Sequence, residues 1–481
     1  MMTLMPIILY LGVMLLIAYK VNNIKQNSAN FTEEYFIGSR KMGGFVLAMT
    51  IIASYVGASS FIGGPGVAYK LGLGWVLLAC IQVPTAFFTL GIIGKKMAII
   101  SRRIKGVTII DLLRVRYKSD AVVIISSITM LVFFIGSIVA QFVGGARLFE
   151  SVTGYPYIIG LIIFSSVVIA YTSFGGFRAV AITDAIQGVI MLIATAVLFF
   201  VILKKGHGME NIMRTIARNS PQMLTPGSSG NIAKPFIMSF WVLVGIGLLG
   251  YPSTAVRCMG FKDSKSLHRA MIIGTSVVGI LMLGMHLIGV MGMAIEPDIA
   301  VGDKIIPILA LKNLNPIVAG IFIGGPLAAI MSTVDSLLIM TSATIVKDLY
   351  LYYINKNADT KKVKKLSFFV SLGFGALVFL LALNPPDLLV WINLLAFAGL
   401  ESTFFCPIIF GLFWRKANST GAILSMIFGF IVFILLTVTK SSIMGMHNIV
   451  PVLAVNIFVF IIGSFFGKKT DENTLKIFFE L

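Results

Sequence analysis

Residues Ile51 to Tyr69 read IIASYVGASSFIGGPGVAY, an apolar stretch with Gly57, Ser59, Ser60, Gly63, Gly64, Pro65 and Gly66 crowded into its centre. A continuous helix does not choose that composition: Gly loses the most conformational freedom on ordering, and Pro removes a ladder hydrogen bond. Within a bilayer, irregular backbone is tolerated only where protein buries it or a cavity borders it. The stretch therefore predicts a membrane helix broken near its middle. Carbonyls freed at such a break can hold a cation, and broken helices of this kind mark the binding sites of secondary transporters.

The rest of the 481-residue chain agrees with a membrane setting, being 58% hydrophobic and 12% charged with a mean hydropathy of +0.97. Soluble domains carry roughly 25% charged residues. Thirteen apolar spans are predicted, at 3–19, 44–68, 73–93, 121–146, 157–173, 180–203, 236–256, 270–293, 317–345, 366–383, 388–412, 421–439 and 448–467. Alternate sides of such a bundle receive 28 and 10 of the 38 Lys and Arg residues. The basic side is expected to be cytoplasmic, which puts the amino terminus outside and the carboxyl terminus inside. The formal charge of +19 is then explained by topology and by anionic headgroups of the lipid bilayer, and nucleic acid is not an expected partner. No signal peptide is expected, because residues 1–19 carry no charge and Lys20 and Lys25 follow the apolar run. Cys80, Cys258 and Cys406 lie in or at the ends of spans without metal-ligand spacing and read as unpaired apolar residues.

A single membrane transport domain accounts for the chain, divided as 1–43, a core at 44–412, and 413–481. The loop from Lys204 to Pro235 is polar and predicts one short helix around Met209–Ala217, while Ala294 to Pro316 mixes apolar and charged residues and is expected to fold over the external face. The Gly spacing of Gly91–Ile92–Ile93–Gly94–Lys95–Lys96 is wrong for a nucleotide-binding loop, which disfavours ATP-driven transport. The span 236–256 is interrupted by Gly245, Gly247, Gly250, Tyr251 and Pro252, much as 44–68 is. The two are five helices apart in order, so they enter the membrane from opposite sides, the pattern of two inverted five-helix repeats. The alternative is that membrane helices simply use Gly and Pro freely.

In the ninth span, Ala329, Ser332, Thr333 and Ser336 fall at i, i+3, i+4 and i+7 and share a helical face. Two hydroxyls there, with carbonyls from a broken helix opposite, would make an oxygen cage suited to a hard monovalent cation. The competing reading is that such hydroxyls bond their own helix or a neighbour. Intramembrane charge is costly, so Asp335, Asp184 near the start of the sixth span, and Glu401 are functional candidates or structural partners, while His286 reads as a packing residue. No Ser-His-Asp or zinc pattern is present, and no covalent chemistry is expected.

Two longer patterns resemble the signatures of the sodium:solute symporter family. Gly154 and Tyr157 followed by Tyr171–Thr172–Ser173–Phe174–Gly175–Gly176–Phe177–Arg178–Ala179 match the first. Gly411–Leu412, Lys416, Gly421–Ala422, Ser425 and Gly429 match the second, with a departure at Phe428, where a smaller residue is usual. A closer likeness, to the pantothenate-transporting members, is carried by Glu34 to Arg40, Gly63 to Leu78, Phe142 to Leu148, Val256–Arg257 with Lys262 to Lys265, Ser342 to Tyr350 and Trp391 to Glu401.

The resemblance implies an all-α integral membrane protein with a leucine-transporter-like core in spans two to eleven, sited in a bacterial cytoplasmic membrane. It implies Na+ as the coupling ion, held by Ala53, Val56, Ala329, Ser332 and Thr333, and a second sodium site around Asp184, Asp335 and Ser336. One sodium per solute is favoured, because Asp335 stands where the family pattern has a hydroxyl. Pantothenate is the implied substrate, with proline, a sugar or another monocarboxylate as alternatives, and a transporter-like sensor as the reading from another class. Gly57, Ser60 and Gln82 are carried over as substrate contacts, Gln141 and Tyr251 are added from position, and the half-helix amino terminus at the break is offered to the substrate carboxylate. No obligate protein partner is evident.

Overall fold

The computed structural model describes residues 2–22, 33, 37, 40–384 and 389–480, apart from the side chains of residues 18–19, 21–22, 174–179 and 229. Glu34, Tyr35, Phe36, Gly38 and Ser39 of the first family-like run, Lys25, and the Phe174–Ala179 side chains of the first signature lie outside what is described. The described chain is helical, and its only inter-strand pairing is an isolated bridge between Met42 and Phe261.

The elements that build the centre are α1 (Leu4–Asn22), α2 (Gly44–Tyr55), α3 (Gly64–Leu71), α4 (Asp120–Thr153), α5 (Tyr157–Lys205), α6 (Pro252–Arg257), α7 (Ser264–Ile295), α8 (Pro316–Ser342) and α9 (Leu389–Phe413). Among the described residues, nine helices are long and apolar enough to cross a membrane, or ten with the bent pair 44–55 and 59–71. Three shorter apolar helices, Leu4–Ile17, Tyr157–Ser173 and Lys234–Gly250, fall on the first, fifth and seventh predicted spans. The helix assignment runs unbroken through the polar junction between the fifth and sixth predicted spans, so α5 has 49 residues. At 1.5 Å per residue that is over twice a hydrocarbon thickness, too long for one upright crossing.

Burial separates the layers. The apolar windows of Pro316–Ile354 and Leu389–Phe413 are each 83% buried, against 28% for Thr360–Leu381, which places the first two at the centre and the last at the rim. Polar caps start several helices: Asn315 accepts from Val318 N at the head of α8 and Asp263 from Ser266 N at the head of α7.

Both predicted breaks are present. Between α2 and α3 the chain bends by 69°, with Val56 extended (φ −88°, ψ 101°) and a π turn over Ser59–Gly63. The counterpart passes from Lys234–Phe240 through a π turn at Trp241–Ile246 and a 3-10 turn at Gly247–Gly250 to an extended Tyr251 (φ −80°, ψ 117°) before α6. Pro65 and Pro252 each sit in the first turn of the resuming helix, where a missing N–H costs nothing.

The segment after α7 folds back as a strap across one end of α3. Gly66 and Gly302 pack backbone to backbone: a Cβ at Gly66 would stand 2.7 Å from the Gly302 carbonyl carbon. Tyr69 OH donates to Glu296 O (2.8 Å), and Lys70 Nζ donates to Ile299 O (2.8 Å). Buried Asp303 pairs with Arg147 of α4 at 2.5 Å and accepts from Leu389 N at 3.3 Å. In the polar loop before the second break, Met209–Asn219 forms the short helix expected there.

Candidate ion and substrate site

A continuous helix would use the carbonyls of Ala53 and Val56 to bond the amides of Gly57 and Ser60. The extended Val56 prevents this, and Ser60 N turns to Gly57 O instead at 3.0 Å, sharing it with Phe61 N at 3.2 Å. The freed carbonyls face α8. Ser332 Oγ donates to Ala53 O (2.8 Å) or Ala329 O (3.0 Å); Thr333 Oγ1 lies 3.2, 3.5 and 3.0 Å from the carbonyls of Ala53, Val56 and Ala329. The structure thus brings together all five residues expected at the first ion site, with Ala53, Val56, Ala329 and Ser332 fully buried and Thr333 nearly so. These five oxygens are neutral and hard, and both hydroxyls can turn a lone pair inward when their O–H···O=C bonds are exchanged for a cation. That set is suited to a dehydrated monovalent ion.

Gly57 is required where it stands. A Cβ there would fall 2.6 Å from Gln141 Oε1 and 2.8 Å from Thr333 Oγ1. Gln141 Oε1 accepts from Ala58 N at 2.7 Å, so the Gln141 amide of α4 caps the amino end of the resuming helix. The Ala58 N–H is one of the backbone donors at the half-helix amino terminus that the sequence offered to a substrate carboxylate.

On the other side of α2, Tyr55 OH donates to Gln82 Oε1 at 2.6 Å. The Tyr55 ring stacks on Phe397 of α9 with centroids 6.4 Å apart, and Tyr251 meets the same Phe397 edge to face at 4.7 Å. The two breaks therefore converge on one phenyl ring. Gln82 and Tyr251 reach this junction through Tyr55 and Phe397, Gln141 and Gly57 meet at the first break, and Ser60, near the start of the π segment, is 8% exposed. Tyr55 and Phe397 were not singled out from sequence; their signal was weak, since aromatic residues are common in spans.

The residues expected at a second ion site are arranged around a basic residue. Asp184 Oδ2 accepts from Thr50 Oγ1 (2.6 Å) and lies 3.9 Å from Arg257 Nη2. The same Nη2 donates to Ser336 Oγ at 2.5 Å, while Arg257 Nε reaches Thr50 O at 2.9 Å. Asp335 points elsewhere, accepting from Thr172 Oγ1 of α5. The oxygens Asp184 Oδ1, Asp335 Oδ2 and Gln187 Oε1 are buried without a hydrogen-bond partner. Sequence reading counted Arg257 with the cytoplasmic loop. In the structure it is 1% exposed and ties both broken spans to α5 and α8. The uncharged run of small residues Ser253–Thr254–Ala255–Val256 directly after Pro252 was the available clue. His286 bonds its own-helix Met282 carbonyl through Nδ1 (2.6 Å) and packs against Gly64.

Two broken helices whose breaks meet on one phenyl ring, with a five-oxygen cluster between one break and a buried Ser/Thr pair, define the class: an all-helical cation-coupled membrane transporter. The family model of the sodium:solute symporters matches residues 35–429, and this chain belongs to that family. Sodium is the coupling ion of such symporters. It is 47% identical over 473 residues to the sodium/pantothenate symporter of Escherichia coli (strain K12), covering 98% of both chains. The sodium/pantothenate symporter of Haemophilus influenzae is 46% identical over 98% of this chain and 97% of its own. An osmoregulated proline transporter of Bacillus subtilis is 30% identical over 92% of each. Among solved structures, a Na+-coupled sialic acid symporter in a substrate-bound outward-open state superposes with a TM-score of 0.78 at 18% identity, covering 97% of each chain. That likeness concerns the fold.

Proposed function

We propose that the chain imports pantothenate across a bacterial cytoplasmic membrane, driven by inward sodium flow through alternating access. The observation that carries this is 47% identity across nearly the full length to a sodium/pantothenate symporter, well above the 30% shared with the proline transporter. Sodium binds at Ala53, Val56, Ala329, Ser332 and Thr333 and joins α2 to α8, so that the break is braced before substrate arrives. A lone sodium moving inward gains about 2.3 kcal/mol per 100 mV of potential, but one crossing with a pantothenate anion moves no net charge, so its concentration gradient supplies the drive. No covalent step is involved, and the lipid bilayer is the only surrounding partner the mechanism requires. All thirteen apolar helices cross the membrane, with the amino terminus outside and the carboxyl terminus in the cytoplasm.

The substrate lies at the junction of the breaks, contacting Gly57, Ser60, Gln82, Gln141 and Tyr251. Pantothenate combines a carboxylate, an amide, hydroxyls and a gem-dimethyl group, a mixture that suits a junction with Gln82 on Tyr55, Tyr251 on Phe397, and Gln141 at the first break. One sodium accompanies each solute: Arg257 already supplies a positive charge between Asp184 and Ser336, where a second ion at Asp184, Asp335 and Ser336 would have to compete. The test is uptake of labelled pantothenate into right-side-out vesicles with sodium or choline chloride outside, challenged with unlabelled proline. Sodium-dependent uptake unaffected by proline supports the reading; proline inhibition with no pantothenate uptake replaces the substrate.

A further inference from the structure

Glu401 stands apart from the other buried acids among the described residues. None of its surface is exposed, and neither carboxylate oxygen has a hydrogen-bond partner. Asp184, Asp303, Asp335 and Asp348 each have at least one oxygen bonded. Glu401 lies one turn along α9 from Phe397, the ring on which Tyr55 and Tyr251 meet. Opposite it is the second break. A Cβ at Gly247 would overlap Glu401 Oε2 and come within 2.5 Å of Val242 O, so this glycine makes the room that the acid fills. Val242 O belongs to the π turn, where it receives the Gly247 N–H, and as a carbonyl it can accept a second hydrogen bond. Glu401 Oε2 and Val242 O both border the space at Gly247, and a carboxylate left without any donor in a dry site is costly unless it carries a proton. The titratable groups facing Glu401 are Tyr55 from α2 and Tyr251 at the break, and no described basic residue on α4, Ser419–Val438 or Ile449–Phe466 supplies it with charge.

We propose that Glu401 is a proton-binding site linked to the substrate pocket: the neutral acid is held while α9 packs on the second break, and it must be protonated for an anionic substrate to bind. The proposal rests on the pantothenate reading. Only the O–H bond changes: when rearrangement of the break wets the carboxyl, its proton passes to water, and the carboxylate regains one from the same side, so no net proton crosses. An ionised Glu401 would repel a carboxylate bound at the neighbouring junction, so substrate affinity becomes a function of pH.

The experiment compares the intact protein with Glu401→Gln and Glu401→Asp, measuring labelled pantothenate uptake at fixed sodium gradient from about pH 7 to 9, where an ordinary carboxyl is fully ionised. In parallel, a pH-indicator dye follows proton uptake when pantothenate is added to the purified protein at the upper end of that range. The native protein should show a half-saturating concentration rising roughly tenfold per pH unit once Glu401 ionises, with protons withdrawn from the medium on binding. Glu401→Gln, neutral at every pH, should keep a flat profile and take up no proton, and Glu401→Asp should move the midpoint. Identical pH profiles for the native protein and Glu401→Gln, or pantothenate binding by the native protein with no proton uptake, overturn the proposal. Absence of any pantothenate uptake or binding by the native protein would instead overturn the transport reading on which it rests. Should Glu401→Gln fail to reach the membrane, the Glu401→Asp midpoint and the native proton count still decide.

Discussion

Replacing Ser332 with Ala deletes one of the five oxygens gathered between the first break and α8. The helix itself should tolerate the change, because Ser332 Oγ bonds a carbonyl of its own previous turn at 3.0 Å and Ala is the better helix former. Ala53 O keeps a hydroxyl neighbour in Thr333, 3.2 Å away. The loss therefore falls on the ion rather than on the fold. Removing one buried polar ligand costs roughly 1–3 kcal/mol, which raises the sodium concentration for half-maximal uptake about 5- to 150-fold. Thr333→Ala should act similarly and Thr333→Ser within about twofold of native, since the hydroxyl is retained. Initial rates of pantothenate uptake against sodium, normalised to membrane abundance by immunoblot, measure this. Unchanged sodium dependence in both alanine variants, at native abundance, would refute the ligand assignment and return the two hydroxyls to ordinary helix–helix bonding.

Gln82→Ala and Ser60→Ala are expected to weaken apparent pantothenate affinity about 5- to 150-fold while leaving sodium dependence at saturating substrate near native; affinity within twofold of native in both would misplace the pocket. Gly57→Ala should abolish uptake by driving a methyl into Gln141 and Thr333, and normal transport by this variant would contradict the tight break. With one sodium per pantothenate anion the cycle is electroneutral, so inside-negative potential should not strongly stimulate uptake; strong stimulation abolished by Asp184→Asn or Asp335→Asn would establish a second sodium instead. Burial holds the Asp303 carboxyl up at about 6 against lowering by Arg147 and the Leu389 N–H. Since the buried form then binds the proton more tightly than a wetted, ordinary aspartate, acidification through that range favours the closed strap. External acidification from about pH 7 to 5 should accordingly slow substrate entry in the native protein more than in Asp303→Asn, as read from initial rates.

Local composition made the breaks legible. Gly and Pro clusters cannot be placed in a bilayer without consequence, and both predicted interruptions occur, centred on extended residues at Val56 and Tyr251. The helical period placed Ala329, Ser332 and Thr333 on one face, but periodicity alone could not say which carbonyls they would meet. The family resemblance supplied Ala53 and Val56, and the geometry brings them within hydrogen-bond distance. What stayed hidden depends on long-range approach. Arg257 reads as the first residue of a basic loop until α6 carries it to Thr50 and Ser336, and the acceptance by Gln141 from the Ala58 N–H has no local pattern either. The Arg147–Asp303 pair joins residues 156 apart in sequence and has no local pattern at all.

The central claim is that sodium and pantothenate cross together through this chain. Purified protein in sealed liposomes, loaded with neither solute, can be given radiolabelled sodium and differently labelled pantothenate at once, and the initial fluxes of both counted. The account predicts pantothenate-dependent sodium entry and sodium-dependent pantothenate entry in a one-to-one ratio, both lost together in a Ser332→Ala, Thr333→Ala double variant. Pantothenate entry at the same rate in choline, or sodium entry indifferent to pantothenate, would contradict it.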